Sequence, residues 1–267
     1  MPHITDEEFK SIEEWEISQT PKPNSEQVAA LLRVIETADD ERPIQKHLAD
    51  NPRLWSPLLG GGHGRWVRPK VKFGDRFEAD FMIADADSAG IHWVYVELES
   101  PHAMAFKANG EYADKARHAL FQIRSWREFV QENGDYVRKP RKRGGLSLPH
   151  LRSKDRGIIF VGRRESMGED VANLRRQTDE DERVSIHSYD WLVERLEEIA
   201  VHPSHNHHAG GVIPYSDEEI REQLDLMHAK PGSDEPEGSD LSHLDPGDVD
   251  PGDFDPGDLD PGDYEPA

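Results

Sequence analysis

Three carboxylates are spaced for chemistry. Asp80 lies in Phe77-Glu-Ala-Asp80-Phe81, and seventeen residues later comes Val96-Glu97-Leu98-Glu99-Ser100-Pro101. In an extended strand, alternate side chains share a face. Glu97 and Glu99 therefore project together, with Val96 and Leu98 on the opposite face. Asp80 ends a short apolar alternation that reads as an adjoining strand. Carboxylates gathered this way repel one another unless a cation neutralises them. Hard oxygen ligands of this kind suit Mg2+ or Mn2+. Such an ion can bind a phosphate oxygen and lower the pKa of a bound water for in-line attack. The plainer reading is a solvated strand face with both glutamates outward.

The elements needed to position these residues can be read from periodicity. Residues 26–37 carry Val28, Leu31, Leu32 and Ile35 at helical spacing, and a second helix is expected from Asp40 to Asp50, with Ile44 and Leu48 inward. Pro43 is tolerable there because it falls in the first turn, and Asn51-Pro52 stops the helix. The period then turns to alternation. Trp66–Phe73 and Phe77–Ala84 read as strands joined at Gly74-Asp75, and Ile91–Leu98, rich in aromatic and β-branched residues, is the strongest strand of the chain. A helix over about Glu111–Glu132 presents Ala116, Leu120, Ile123, Phe129 and Val130 on one face. Gly157–Gly162 is continuously apolar, as in a strand buried on both faces. A helix near Glu169–Gln177, a strand near Val184–His187 and a helix over Tyr189–Ile199 follow. The order predicts a mixed α/β domain: a central mixed sheet flanked by helices.

Composition bounds the rest. The 267 residues include no cysteine, which excludes a disulfide scaffold, a cysteine-ligated zinc site and a thiol nucleophile. The N-terminus shows no signal-peptide pattern and no stretch suits a membrane helix, so a cytoplasmic protein is expected. The net charge is −22, but residues 201–267 hold 18 Asp/Glu against 2 Lys/Arg, which leaves only −6 for residues 1–200. The charge of the body does not argue against a nucleic-acid partner. Residues 1–25 read as a flexible N-terminal segment, 26–200 as the folded domain and 201–230 as a His-containing linker with a short helix. Residues 231–267 read as a disordered acidic tail, because Asp-Pro-Gly-Asp-x repeats over 245–264 and neither helix nor ladder propagates through Pro and Gly every five residues. The linker's His202, His205, His207 and His208 lack a second ligand group in sequence. Residues 133–156 read as a basic, Gly/Pro-containing loop. Within it Arg138, Lys139, Arg141, Lys142 and Arg143 put five positive charges into six residues, suited to a DNA backbone or simply to solvent. The acidic tail is expected to be able to contact this loop.

The ordered motifs resemble the PD-(D/E)xK nuclease superfamily, and within it the Shedu-type anti-phage nuclease domain. The matching pieces begin with Glu41-x-x-Ile44-Gln-x-x-Leu48-x-x-Asn51-Pro52 and Ala79-Asp80-Phe81, then Glu97-Leu98-Glu99 in the place of E-x-K. His118-Ala119-x-x-Gln122-Ile123-x-x-Trp126, Gly157–Arg163 and Ser188-Tyr189-Asp190-x-Leu192 complete the set over roughly residues 38–198. The resemblance implies a PD-(D/E)xK-like core, DNA as substrate and a homo-oligomer. It implies Asp80 and Glu97 as metal ligands, Glu99 as ligand or base, and Gln122 over the site. It also suggests a further carboxylate from Glu41, whose plainer role is a first-turn helix residue favoured by the dipole. The departure is Glu99, which stands where the superfamily has lysine. Two functions stay open: an active metal-dependent endonuclease, or a DNA-binding module of the same fold that has lost catalysis.

Overall fold

In the computed structural model, residues 4–17, 22–60, 62–167 and 172–201 are described. The His-containing linker and the repeat tail lie outside them. Helices α1 (Asp6–Ile12), α2 (Ser25–Thr37) and α3 (Glu41–Asp50) come first. Strands β1 (Gly64–Phe73), β2 (Phe77–Asp87) and β3 (Gly90–Leu98) follow, then α4 (Asp114–Glu132) and α5 (Gly134–Arg138). β4 (Arg156–Phe160), α6 (Ala172–Glu182), β5 (Val184–His187) and α7 (Tyr189–Val201) close the order. One sheet runs β1-β2-β3-β4-β5. The first three strands are antiparallel, and β4 and β5 are parallel to β3. The change of sense follows from the connections: short turns join β1 to β2 and β2 to β3, whereas helical crossovers lead into β4 and β5.

Local chemistry explains the element ends. Asn24 and Gln27 form a capping box at α2, and the Asp40 carboxylate accepts from Arg42 N–H at the start of α3. Gly74 takes a left-handed φ of 68° in the β1–β2 turn, where a Cβ would crowd the Phe129 ring.

The sheet is buried on both sides. One face packs Met82, Ala84, Trp93, Tyr95 and Ile159 against α4 residues Ala119, Leu120, Ile123 and Trp126. The other packs Phe81, Ile83, Val96, Leu98 and Phe160 against Val28, Leu31 and Ile35 of α2, Ile44 and Leu48 of α3, and Leu192 and Leu196 of α7. This is the mixed α/β layer architecture that the sequence predicts, and no helix of the described residues is long and apolar enough to cross a membrane.

Two expectations are corrected. Residues 5–17 do not form a loose segment. Thr5 and Glu8 make a capping box on α1, Ile12 is fully buried, and Ile17 N–H donates to Arg65 O at 2.8 Å. The polar composition hid the anchors, since Phe9 and Ile12 suffice to dock a short helix on Trp66. Residues 133–156 are also ordered: α5 and one helical turn at Arg141–Arg143 are tied down by buried Val137, Leu146, Leu148 and Leu151.

Candidate active site

β1 and β2 keep one register throughout, but at Lys70 and Asp80 the ladder is interrupted: Pro69 pairs with Phe81 and Val71 with Ala79, and the residues between do not pair. Lys70 holds a left-handed φ of 54°, a conformation that L side chains adopt at a cost. The inward faces change over there. Val67, Phe81 and Ile83 pack on the α2–α3–α7 side, whereas Val71, Phe73 and Ala79 pack on the α4 side. Asp80 sits at that crossover instead of continuing either face.

Three groups hold the Asp80 carboxylate. Leu98 N–H donates to Oδ2 at 2.8 Å, Gln45 of α3 donates through Nε2 to Oδ1, and Lys70 Nζ stands 3.3 Å from Oδ1 and 3.4 Å from Glu78 Oε1. Burial nevertheless raises the Asp80 pKa, against the lowering effect of the Leu98 amide and Lys70.

On β3, Tyr95 lies on the α4 face while Val94, Val96 and Leu98 pack on the other, so Glu97 and Glu99 look toward α4. Gln122 of α4 donates through Nε2 to Glu97 Oε1. Glu97 Oε2 is buried without a hydrogen-bond partner among the described residues. Desolvation, then the charges of Asp80 and Glu99, push the Glu97 pKa well above the usual carboxylate range. Glu99 is buried at 3 % exposure, and its Oε2 lies 2.9 Å from Lys115 Nζ, at the start of α4. Its backbone is fixed from both sides: Glu99 N–H donates to Phe160 O, and the Tyr189 hydroxyl donates to Glu99 O, each at 2.8 Å. Burial raises the Glu99 pKa although Lys115 opposes the shift.

Glu41 opens α3, one helical turn before Gln45. Its negative charge contributes to raising the pKa of Asp80, Glu97 and Glu99. The structure thus gathers Asp80, Glu97, Glu99 and Gln122 at one end of the sheet, with Glu41 close enough to be felt. Among the described residues, no three His, Asp or Glu side chains form a ready group of metal ligands. Lys115 occupies Glu99, and Lys70 and Gln45 share Asp80. A hard divalent cation suits the pair Asp80 and Glu97, because Glu97 Oε2 is a buried oxygen with no partner among the described residues and the Asp80 charge acts on Glu97.

Two contributors, Gln45 and Lys115, were not read as site residues from the sequence. Lys115 and Gln122 are seven residues apart, which places them on one helix face, a signal available in the sequence. Arg65, Arg68, Lys70 and Lys72 read as a basic run near Asp80, but the contact of Lys70 with that carboxylate depends on a backbone kink.

The basic cluster sits apart from these carboxylates and faces α1. Arg141 Nη1 lies 2.8 Å from Glu14 Oε1, Arg143 Nη2 2.7 Å and Lys142 Nζ 3.3 Å from Glu7 Oε1. Arg138 donates to Leu151 O at 3.1 Å, and Lys139 is exposed. Arg68 stacks on Trp15, 4.1 Å from its ring centre, and burial lowers its pKa to about 10.

The family described as "Shedu protein SduA, C-terminal" matches residues 38–193. No curated protein sequence matches the chain. Among solved structures, restriction endonuclease FokI bound to DNA aligns at 12 % identity with a TM-score of 0.39. That alignment covers 84 % of this chain and 33 % of the FokI chain, so this chain spans about a third of that protein, and so distant a likeness carries no argument. The family match takes in the leading helix α3, the Asp80 strand, the E-x-E strand, the Gln122 helix and the start of the Tyr189 helix, so the chain belongs to the Shedu family, through its SduA C-terminal domain.

Proposed function

We propose that this chain is a Shedu-type DNA endonuclease acting in defence against phage, hydrolysing phosphodiester bonds with Mg2+ or Mn2+ held by Asp80 and Glu97. The observation that carries the reading is Glu97 Oε2, a buried carboxylate oxygen with no partner, on a strand next to Asp80. A bound ion of this type supplies a polarised phosphate oxygen and a water acidic enough to attack. The chain's own residues hold the geometry. Gln122 fixes one oxygen of Glu97 and leaves the other available, and the Leu98 amide and Gln45 orient Asp80. Outer contacts of this sort set ligand direction and basicity. Arg138, Lys139, Arg141, Lys142 and Arg143 serve the DNA backbone in this reading, in competition with Glu7 and Glu14 of the N-terminal segment. Assembly as a homo-oligomer in the cytoplasm belongs to the same reading.

The second reading, a DNA-binding module without catalysis, draws on Glu99, whose carboxylate is engaged by Lys115. A cleavage assay with Mn2+ or Mg2+ separates the two. Asp80→Asn and Glu97→Gln are each expected to lower the rate by roughly 10²-fold or more, the scale for removing a group that places charge in a transition state. Cleavage that survives both changes would refute the proposed site, and DNA binding without any cleavage by the wild type would favour the module.

A further inference from the structure

Glu99 takes the strand position at which the E-x-K pattern has a lysine, yet an ammonium is present at the tip of that side chain. Lys115 Nζ lies 2.9 Å from Glu99 Oε2. The two partners differ in burial: the Glu99 side chain is 4 % exposed and that of Lys115 52 %. A buried carboxylate therefore anchors the ammonium of a half-exposed lysine. An ammonium has three donors, and its ion pair with Glu99 leaves donors to serve a further acceptor.

The pairing is built into two elements. Lys115 and Gln122 share one face of α4, and Glu97 of β3 and Glu99, just past its end, lie on the side toward it. Helix and strand meet in two matched contacts, Lys115 with Glu99 and Gln122 with Glu97. The hydrogen bond to Glu99, and then the charges of Glu99, Glu41 and Glu97, raise the Lys115 pKa. A second cation near the site, Lys70, is shared between Asp80 and Glu78, and its charge also acts on Glu97. Only Lys115, of these two, stands at Glu99.

We propose that Lys115 serves in place of the strand lysine, with Glu99 as the positioning residue that holds its ammonium beside Glu97, where it neutralises a non-bridging oxygen of the scissile DNA phosphate. The inference rests on the nuclease reading above. Lys115 forms no covalent bond and transfers no proton in this role. It contributes charge and direction at the place where negative charge develops.

The test uses the full chain and plasmid DNA with Mn2+, comparing wild type with Lys115→Met, Lys115→Arg and the double variant Glu99→Lys/Lys115→Met. Lys115→Met is expected to lower kcat by roughly 10²-fold with KM changed far less. Mn2+ affinity, measured by calorimetry, should stay near the wild-type value. Lys115→Arg should keep more activity than Lys115→Met. The double variant returns an ammonium to the strand and should recover about 10-fold over Lys115→Met, on the same scale. Thermal unfolding of each variant identifies any that fails to fold, and Lys115→Arg, which keeps the ion pair, then carries the comparison. A Lys115→Met enzyme with wild-type kcat overturns the proposal, as does lost Mn2+ affinity with no recovery in the double variant. If wild type does not cleave, the nuclease reading fails by itself, and DNA affinity against salt decides the lysine. A log–log slope reduced by about 1 in Lys115→Met retains the phosphate contact. An unchanged slope removes it.

Discussion

At the scale of single residues, Glu97 is held under electrostatic stress. One oxygen is clasped by Gln122, the other is buried without a partner among the described residues, and burial, then the neighbouring carboxylates, push its pKa well up. Gln122 therefore acts on the site through Glu97. Gln122→Leu removes the donor and leaves the whole carboxylate to a bound ion or to a proton. The Mn2+ concentration that half-stabilises the fold against heat should rise roughly 10- to 100-fold, the usual cost of losing a group that orients a metal ligand. An unchanged midpoint would show that Gln122 is only a surface glutamine. Glu99 is different in kind. Its charge is matched by Lys115, so its carboxylate is an anchor as much as a candidate ligand or base.

At the scale of elements, the site exists because β3, β4 and α7 meet at one sheet end. Gly162 is the knot. Its N–H donates to Ser100 O and its carbonyl accepts from Tyr189 N–H, each at 3.1 Å, and it takes a left-handed φ of 66°. A Cβ there would press on Ala103 O and Ser166 Oγ. Gly162→Ala should cost about 1–3 kcal/mol through strain and displaced backbone. Because Ser100 follows Glu99, cleavage should fall beyond what the lost stability explains. Urea unfolding and kcat together check this, and a variant unfolding at the wild-type midpoint would contradict it. The N-terminal segment is the other element with consequences. Its Glu7 and Glu14 meet the basic residues 141–143 in exposed ion pairs, which are weak individually and screened by salt. They leave the cluster able to exchange carboxylate for phosphate.

At the scale of the whole molecule, the sheet with helices on both faces buries groups that set its response to pH. His187 on β5 stacks on Trp191 with ring centres 3.8 Å apart, and burial pushes its pKa down to about 3. Its Nδ1 is buried without a hydrogen-bond partner among the described residues. The unfolded chain binds a proton at this histidine near 6.5 while the folded chain resists it until about 3. The contribution to stability is therefore complete above 6.5 and is lost as the pH falls from 6.5 toward 3. Chemical denaturation across that window should show declining stability, less steep in His187→Phe than in wild type. Parallel slopes in the two proteins would remove His187 as a source of the acid sensitivity.

Much of this was legible in sequence, for reasons that differ by residue. Alternation in Ile91–Leu98 fixed that Glu97 and Glu99 share a face, because strand geometry has a period of two and Val96 and Leu98 had to be inward. Helical spacing marked α2, α3 and α4, and the turn at Gly74-Asp75 marked the first hairpin. Composition misled where few anchors hold a polar segment, as with Ile12 under α1 and Leu146, Leu148 and Leu151 under the basic residues. The tertiary structure alone decided which cations reach the carboxylates. Lys70 reaches Asp80 through a left-handed kink opposite it, and Lys115 reaches Glu99 because α4 crosses back over β3. A local period dictates which way a side chain points along its own element. Which charge from a distant element it meets depends on how the elements pack, and that is a property of the folded chain.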